Sequence, residues 1–501
     1  MIRTDLIAPI PVLLERQALR EGGRTAFVDA SRKVTWADLT SRSANLAGHL
    51  VARGITAGER VALLLPNGVA WVEAACAVLR AGGVLVPISH DSTRPEILYR
   101  IQDAGCRGVI VSDARASEVE AMRGECATLE FVLDEASFVR LAGQASVSPD
   151  VARLSEVAFI VYTSGTTGRA KGVVLTLRSM LWIVASCWAP ILGLSQEDRF
   201  LSPLPLFHSY GLNLTFLGTL ATGAETRLME RYGTREACAL LEEWEPTLFA
   251  GVPTMFHYLL QGEIAPRAPK LRRSVSAGAI LPAALCRAWE EQVGSKLLDG
   301  YGITETSTMV TMNWPDGGRP AGSCGLPVPG LSVRLLDPAT GEDAAPGAEG
   351  ELVVRGPNLM LGYHNKPAET EQALRRGWYH TGDLARMDAD GFLTITGRLK
   401  ELIIRGGQNI APAEIEEVAA LFPGVRDCAV IGVPHALLGE VPVLFIAEKP
   451  GETVEADALL AHCREQLSSY KVPAEIHVAE EIPRTGSGKI MRFRLRELLP
   501  A

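Results

Sequence analysis

Apolar positions in the first part of the chain follow two alternating rhythms. Thr35–Arg53 (TWADLTSRSANLAGHLVAR) sets its apolar residues at helical spacing behind a threonine, which predicts an amphipathic helix with a threonine cap. ERVALLLP (Glu59–Pro66) is a short unbroken apolar run and predicts a strand. Ala70–Ala81 predicts a second helix and GGVLVPI a second strand, and GCRGVIVSD (Gly105–Asp113) repeats the theme. Short apolar strands separated by amphipathic helices imply parallel sheets covered on both faces. Leu331–Leu336 and GELVVRG (Gly350–Gly356), bounded by Gly, Pro and Asp turns, predict antiparallel strands of a smaller β unit. After Gly397 the pattern shifts to a helix over Ala413–Leu421, strands over Asp427–Val433 and Val443–Glu448, and a helix over Ala456–Leu467. This predicts a compact α+β module, with the joint in TGRLKEL, Thr396–Leu402.

A chain of 501 residues is too long for one ordinary core, so two or more units are expected. A net charge of −9 argues against a protein that holds nucleic acid by counterion release. The nine cysteines include no Cys-x-x-Cys pair, and the apolar neighbours of Cys76, Cys187 and Cys324 suit reduced thiols of a cytoplasmic protein. The scattered histidines give no structural zinc pattern. Asp5, Glu15 and Glu21 interrupt the N-terminal stretch, which lacks the apolar core and cleavage site of a signal peptide. Ser179–Gln196 is uncharged, but it is only marginally long enough to span a bilayer and contains Pro190, so a buried helix is expected rather than a membrane span.

The chemistry begins at VAFIVY (Val157–Tyr162), a predicted buried strand that runs into TSGTTG and then Lys171. Glycines let backbone N–H groups approach phosphate oxygens, hydroxyls add donors, and lysine supplies charge. The Walker pattern requires Ser or Thr directly after its lysine, whereas Gly172 follows Lys171, so the phosphates are held in another geometry.

YTSGTTGRAKGV, LPLFHSYG (Leu204–Gly211), SAGAIL (Ser276–Leu281), DGYGITET (Asp299–Thr306), GELVVRGPNLMLGY (Gly350–Tyr363), the run from Gly377 to Glu416 and PRTGSGKIMR (Pro483–Arg492) follow one another in order. This series resembles the adenylate-forming superfamily of acyl-CoA synthetases, adenylation domains and luciferases, and covers nearly the whole chain. The resemblance implies an α/β N-terminal domain of two doubly wound subdomains plus a small β-barrel, residues 1–397. A small mobile α+β C-terminal domain, residues 398–501, would follow, with its hinge near Lys400. It implies that a carboxylic acid is adenylated with ATP, that pyrophosphate leaves, and that the acyl group passes to coenzyme A as the domains alternate. A carrier-protein thiol as acceptor and a relative specialised for one half-reaction stay open, as does a monomer or a homodimer.

By the same resemblance, Thr163, Ser164, Gly165, Thr166, Thr167, Gly168 and Lys171 would hold the leaving pyrophosphate. Tyr301 would stack on adenine, with Gly278 and Ala279 lining its other side, and Asp299 and Gly302 belong to the same nucleotide-binding set. Thr304 would touch the α-phosphate, Glu305 would ligate Mg²⁺, and Asp383 and Arg398 would bind the ribose. Lys489 would be the catalytic lysine, bridging the carboxylate and the α-phosphate. Arg405, Gly406 and Gly407 would pass the pantetheine arm of CoA.

For the acid, His208 stands as a gate, and Ser209, Tyr210, Asn213, Ala277, Gly300, Ile303 and Met309 are expected to line the pocket. Amino-acid-activating relatives carry Asp after the Phe that here precedes His208. Malonate-activating relatives carry Arg where Gly300 stands, so Gly300 is expected to open the pocket towards an apolar acid: aryl, fatty or polycyclic. Two residues depart from the pattern: Ala170 stands in place of Pro, and Ile280 in place of Pro or Ala.

Overall fold

The computed structural model describes residues 1–163, 170–261, 268–405, 408–435, 437–467, 469–484 and 490–499. The parallel strands expected in the first part of the chain are Arg60–Leu64, Val84–Pro87, Gly108–Val111 and Val157–Thr163; with Phe131–Asp134 at one edge they form the parallel part of a seven-stranded sheet. Lys171–Thr176 pairs antiparallel with Val157–Thr163, and Gly362–Tyr363 closes that edge. The hairpin register sets Thr163 opposite Lys171 at its open end.

The helix expected behind Thr35 runs from Trp36 to Val51, and the Thr35 hydroxyl accepts the Asp38 N–H at 3.1 Å, as a cap should. Val69–Arg80 is buried along its whole length. Its Trp71 meets Phe216 edge-on at 5.5 Å and ties the first sheet to the second.

The second sheet has nine strands. Thr25–Val28, Glu225–Leu228, Arg199–Ser202, Leu248–Gly251, Arg273–Ala277 and Lys296–Tyr301 run parallel, with short antiparallel strands at both edges. The apolar Ser179–Gln196 stretch lies between these layers. The helix Leu177–Ile183, capped by Thr176, continues as a π-helix over Val184–Leu192 that contains Pro190. Among the described residues no helix is long and apolar enough to cross a membrane.

The smaller β unit is a five-stranded antiparallel sheet of Ser332–Leu336, Gly350–Arg355, Leu374–Arg375, Trp378–Met387 and Leu393–Arg398. From Ile403 onward the chain builds a separate sheet: Ile403–Arg405, Gln408–Ile410, Val425–His435, Gly439–Glu448 and Glu475–Val478. Its long central hairpin extends past the apolar run of Asp427–Val433, because the ladder continues through polar residues as far as His435 and Gly439. Helices Pro412–Ala420 and Ala456–Gln466 add Ile415 and Leu459 to this sheet's core.

Candidate active site

A cavity of about 770 Å³ opens where these layers meet, within the size range of small-molecule sites. Each layer supplies part of its wall. Thr163 and Lys171 come from the end of the hairpin, Thr304 and Glu305 from the turn after Lys296–Tyr301, and Asp383 and Arg398 from the antiparallel sheet. Met491, from the C-terminal unit, also lines it. Open α/β sheets place ligands at the carboxyl ends of their strands, and both Thr163 and Tyr301 end strands that feed this space.

The turn that carries Thr304 and Glu305 is tight. A Cβ on residue 302 would lie 1.3 Å from the Thr308 carbonyl oxygen, so only glycine fits there. Ser307 and Thr308 adopt positive φ, at 52° and 107°, and Thr308 N–H donates to the Ile303 carbonyl at 3.1 Å. Backbone strain of this kind is held where surrounding contacts over-determine it.

Glu305 accepts a hydrogen bond from the Tyr363 hydroxyl at 2.9 Å, and the Tyr379 hydroxyl stands 3.4 Å from that of Tyr363. The Lys171 ammonium lies 5.0 Å from the centre of the Tyr363 ring. Burial, reinforced by the charge of Glu305, raises the pKa of both phenols and keeps them neutral donors. One carboxylate thus faces the cavity with its orientation fixed, beside a lysine.

Asp383 is engaged on both oxygens: the Tyr301 hydroxyl donates to Oδ2 and the Arg398 Nε–H to Oδ1 at 2.8 Å. Its charge raises the pKa of Arg398, while burial and then Asp383 raise that of Tyr301. The Thr381 hydroxyl accepts the Asp383 N–H at 2.9 Å and donates to the Leu352 carbonyl at 2.7 Å. The carboxylate that would meet a ribose is therefore rigid before any ligand arrives.

His208 lines the cavity, and its Nδ1 accepts the Tyr210 N–H at 3.2 Å, which assigns the ring proton to Nε2. Asn67, beyond the strand Arg60–Leu64, holds the loop that carries His208. Its amide donates to the Leu204 and Met229 carbonyls at 2.9 and 3.2 Å, and its Oδ1 accepts the Leu206 N–H at 2.9 Å.

Of the residues singled out from the sequence, Thr163, Lys171, His208, Ile303, Thr304, Glu305, Asp383 and Arg398 share this one cavity. The others sit as follows. Ser209 and Thr304 share a hydroxyl hydrogen bond at 3.0 Å, behind the wall. Tyr210 is buried and donates to the Val275 carbonyl at 3.3 Å. Asn213, expected in the acid pocket, is instead spent on the interior: its Oδ1 accepts the Trp188 indole N–H at 2.7 Å, and its amide donates to the Met180 and Ser307 carbonyls at 2.9 and 3.1 Å.

Gly300 does not open the pocket as expected, because the Met309 methyl lies 2.2 Å from where a Cβ would stand and fills the space. Ala277 is buried at the end of its strand. Asp299 is buried, and its carboxylate accepts the Gly300 N–H at 3.0 Å away from the cavity wall. Burial raises its pKa well above the ordinary carboxylate range. Gly278 bends the chain at φ +92° just before Ala279, as the strand ends. Arg405, expected along a CoA path, is braced within its own unit, donating to the Tyr470 and Val472 carbonyls at 2.8 and 3.4 Å. Lys400 lies in the 3-10 turn Leu399–Glu401 between the two sheets. Ser164, Gly165, Thr166, Thr167, Gly168, Gly406, Gly407 and Lys489 lie outside the described residues.

Tyr363, Tyr379 and Asn67 were not singled out from the sequence. The two tyrosines stand inside quoted motifs, which was the available signal, but only strand pairing brings the Tyr363 hydroxyl to Glu305 and the Tyr379 hydroxyl to Tyr363. Asn67 carries no motif at all.

Residues 14–364 match the family described as AMP-binding enzyme, and residues 414–489 match the AMP-binding enzyme C-terminal domain. The chain is 36% identical to naringenin synthase of Pestalotiopsis fici over 97% of its own length but spans only 19% of that protein. It is 35% identical to feruloyl-CoA synthase of Amycolatopsis sp, covering 96% of this chain and 97% of that one. It is also 35% identical to a long-chain-fatty-acid–CoA ligase of Yersinia pestis, covering 99% and 95%. The crystal structure of the anthranilate CoA ligase AuaEII in complex with anthranoyl-AMP superposes with a TM-score of 0.92, at 28% identity and 99% coverage of both chains. The chain belongs to the AMP-binding enzyme family of adenylate-forming acid–thiol ligases of the acyl-CoA synthetase type.

Proposed function

We propose that this enzyme joins a compact aromatic carboxylic acid to coenzyme A in two steps within the cavity described above. In the first, a carboxylate oxygen attacks the α-phosphorus of ATP, forming the acyl–phosphate bond while the bond to pyrophosphate breaks. In the second, the CoA thiol attacks the acyl carbon and AMP departs with the electron pair. The observation that carries the reading is the convergence of Lys171, Glu305, Asp383, Arg398 and His208 on one cavity from three separate sheets.

In this reading Asp383 and Arg398 orient the ribose, and Thr163 and Lys171 hold the β- and γ-phosphates. Thr304 meets the α-phosphate, and His208 flanks the acid carboxylate. Lys489 neutralises the two anions as they approach. Glu305 suits Mg²⁺, a hard cation that takes carboxylate and phosphate oxygens together. Among the described residues no cluster of three acidic, His or Cys ligands exists, so the nucleotide's own oxygens would complete the coordination. The metal would offset charge on the phosphates.

The choice of a compact aromatic acid rests on the interior behind His208 and Ile303. Tyr210, Ala277 and Met309 are closed around that space, each no more than 4% exposed. A planar ring needs only a slot there, whereas a long acyl chain needs a continuing tunnel. The names of the feruloyl-CoA and anthranilate relatives support the same class. Incubating the protein with ATP, Mg²⁺, CoA and a panel of benzoic, cinnamic and fatty acids, read by mass spectrometry, tests this. Aryl-CoA products are expected; fatty acyl-CoA alone would overturn the acid class, and no acyl-CoA from any acid would overturn the reaction.

A further inference from the structure

The crossing from the large body to the C-terminal unit is short, and both its ends are tied by ion pairs. Arg398 is the last residue of its ladder, opposite Asp383, and its Nε–H also donates to Asp383 Oδ1 at 2.8 Å. Leu399–Glu401 is a single 3-10 turn, and Ile403 already belongs to the C-terminal sheet. Within that turn the Glu401 carboxylate pairs with Arg492 Nη1 at 3.2 Å.

Arg492 is fixed to the C-terminal unit by two further contacts. Its Nη2 donates to Glu416 Oε1 at 2.7 Å, on the helix Pro412–Ala420, and its Nε to the Val430 carbonyl at 3.1 Å, on the strand Val425–His435. Glu416 in turn accepts the Val430 N–H at 2.8 Å. The side chain of Glu401 is therefore fastened to the same block as the strand and helix beneath it. The residue before Arg492, Met491, lines the active-site cavity, and Lys489 lies three positions upstream of Arg492 in sequence.

A hinge works when a few residues absorb the dihedral change and their neighbours travel with rigid bodies. We infer that Asp383–Arg398 and Glu401–Arg492 form a bracket that confines the pivot between the two bodies to Leu399 and Lys400. This makes Arg492 and Glu401 positioning residues for the reaction. The inference rests on the two-step reading above. Without the Glu401 tie, freedom would spread through Leu402 and double the loose backbone from about four dihedrals to about eight. The segment that carries Met491 would then be placed less sharply, and pre-organisation would be lost at each turnover.

The test compares Glu401→Gln and Arg492→Lys with the parent enzyme by hydrogen exchange and kinetics. Arg492→Lys also loosens Glu416 and could impair folding, whereas Glu401→Gln touches only the exposed side of the pair. Peptides that span residues 396–404 are expected to exchange about 10-fold faster in Glu401→Gln, while those of the helix Pro412–Ala420 stay as they were. The kcat for acyl-CoA formation should fall about 10-fold with KM for ATP within about 2-fold, since the nucleotide contacts lie in the large body. The double variant should lose no more than Arg492→Lys alone, the mark of a coupled pair. Unchanged exchange at 396–404 in Glu401→Gln would overturn the bracket, as would raised exchange with an unchanged kcat or two effects that simply add. If the parent enzyme forms no acyl-CoA, the functional reading fails, and the exchange measurement still decides the bracket on its own.

Discussion

Glu305 shows how one side chain is given its work by neighbours distant in sequence. Its carboxylate is oriented by the Tyr363 hydroxyl from a strand that closes the edge of another sheet. Glutamine at 305 would still accept that hydrogen bond while losing the charge that a cation requires. Glu305→Gln should therefore fold normally and lose about 100-fold in ATP–pyrophosphate exchange; an exchange rate within a factor of two of the parent would remove Glu305 from the metal role. His90 also lines the cavity, with Nε2 2.8 Å from the Ser112 hydroxyl. Burial, and then the charge of Arg115, lowers its pKa below that of a free histidine. The unfolded chain thus takes up a proton before the folded one does. The stability contributed by neutral His90 is complete above about pH 6.5 and is lost as pH falls through the lower folded value. Urea unfolding at a series of pH values should show a flatter acid limb for His90→Gln than for the parent between about pH 6.5 and 5.

At the scale of elements, the two π-helical segments Val184–Leu192 and Gly211–Leu217 are joined by a buried bond from the Trp188 indole to Asn213. The first was legible as an apolar helix that could not be a membrane span. The wider turn that accommodates Pro190 was not, because periodicity measures only which faces are apolar. Asn213 was read as a pocket residue from its place after the His208 motif. Its partners come from two other segments, and no local pattern announces them. Replacing it with leucine strands the Trp188 N–H and two carbonyls, and should cost about 3 kcal/mol, seen as a lower urea midpoint with an unchanged slope. Met309 gives the complementary case, since its methyl occupies the space vacated at Gly300. Met309→Ala should raise kcat/KM for bulkier aryl acids over benzoate-sized ones by about 10-fold, measured in direct competition.

On the scale of the whole molecule, the proposed two-step reaction would have two bodies take turns at one cavity. Lys489→Ala is expected to reduce adenylate formation by about 1,000-fold, while transfer from a supplied acyl-adenylate to CoA is largely kept. Lys400→Pro stiffens the pivot and should do the reverse, sparing pyrophosphate exchange and slowing thioester formation about 100-fold. Equal losses in both half-reactions for either variant would argue against alternation. Both assignments rest on motif position alone, since each lysine sits in a run of Gly and charged residues with a fixed order along the chain.

The sequence by itself determined the element types and the parallel and antiparallel units, and its ordered motifs carried the resemblance that pointed to the chemistry. Those follow from periodicity and from residue types that only a few reactions require in that order. Tertiary structure decided which of those residues share a cavity and which are spent on the interior. Thr163 and Asp383 meet there, while Asn213 and Arg405 turn away, because hydrogen-bond partners and filled volume are set by segments tens to hundreds of positions apart. It alone brought Tyr363 to Glu305 and Arg492 to Glu401, since burial demands a partner for each polar group but does not name it in advance.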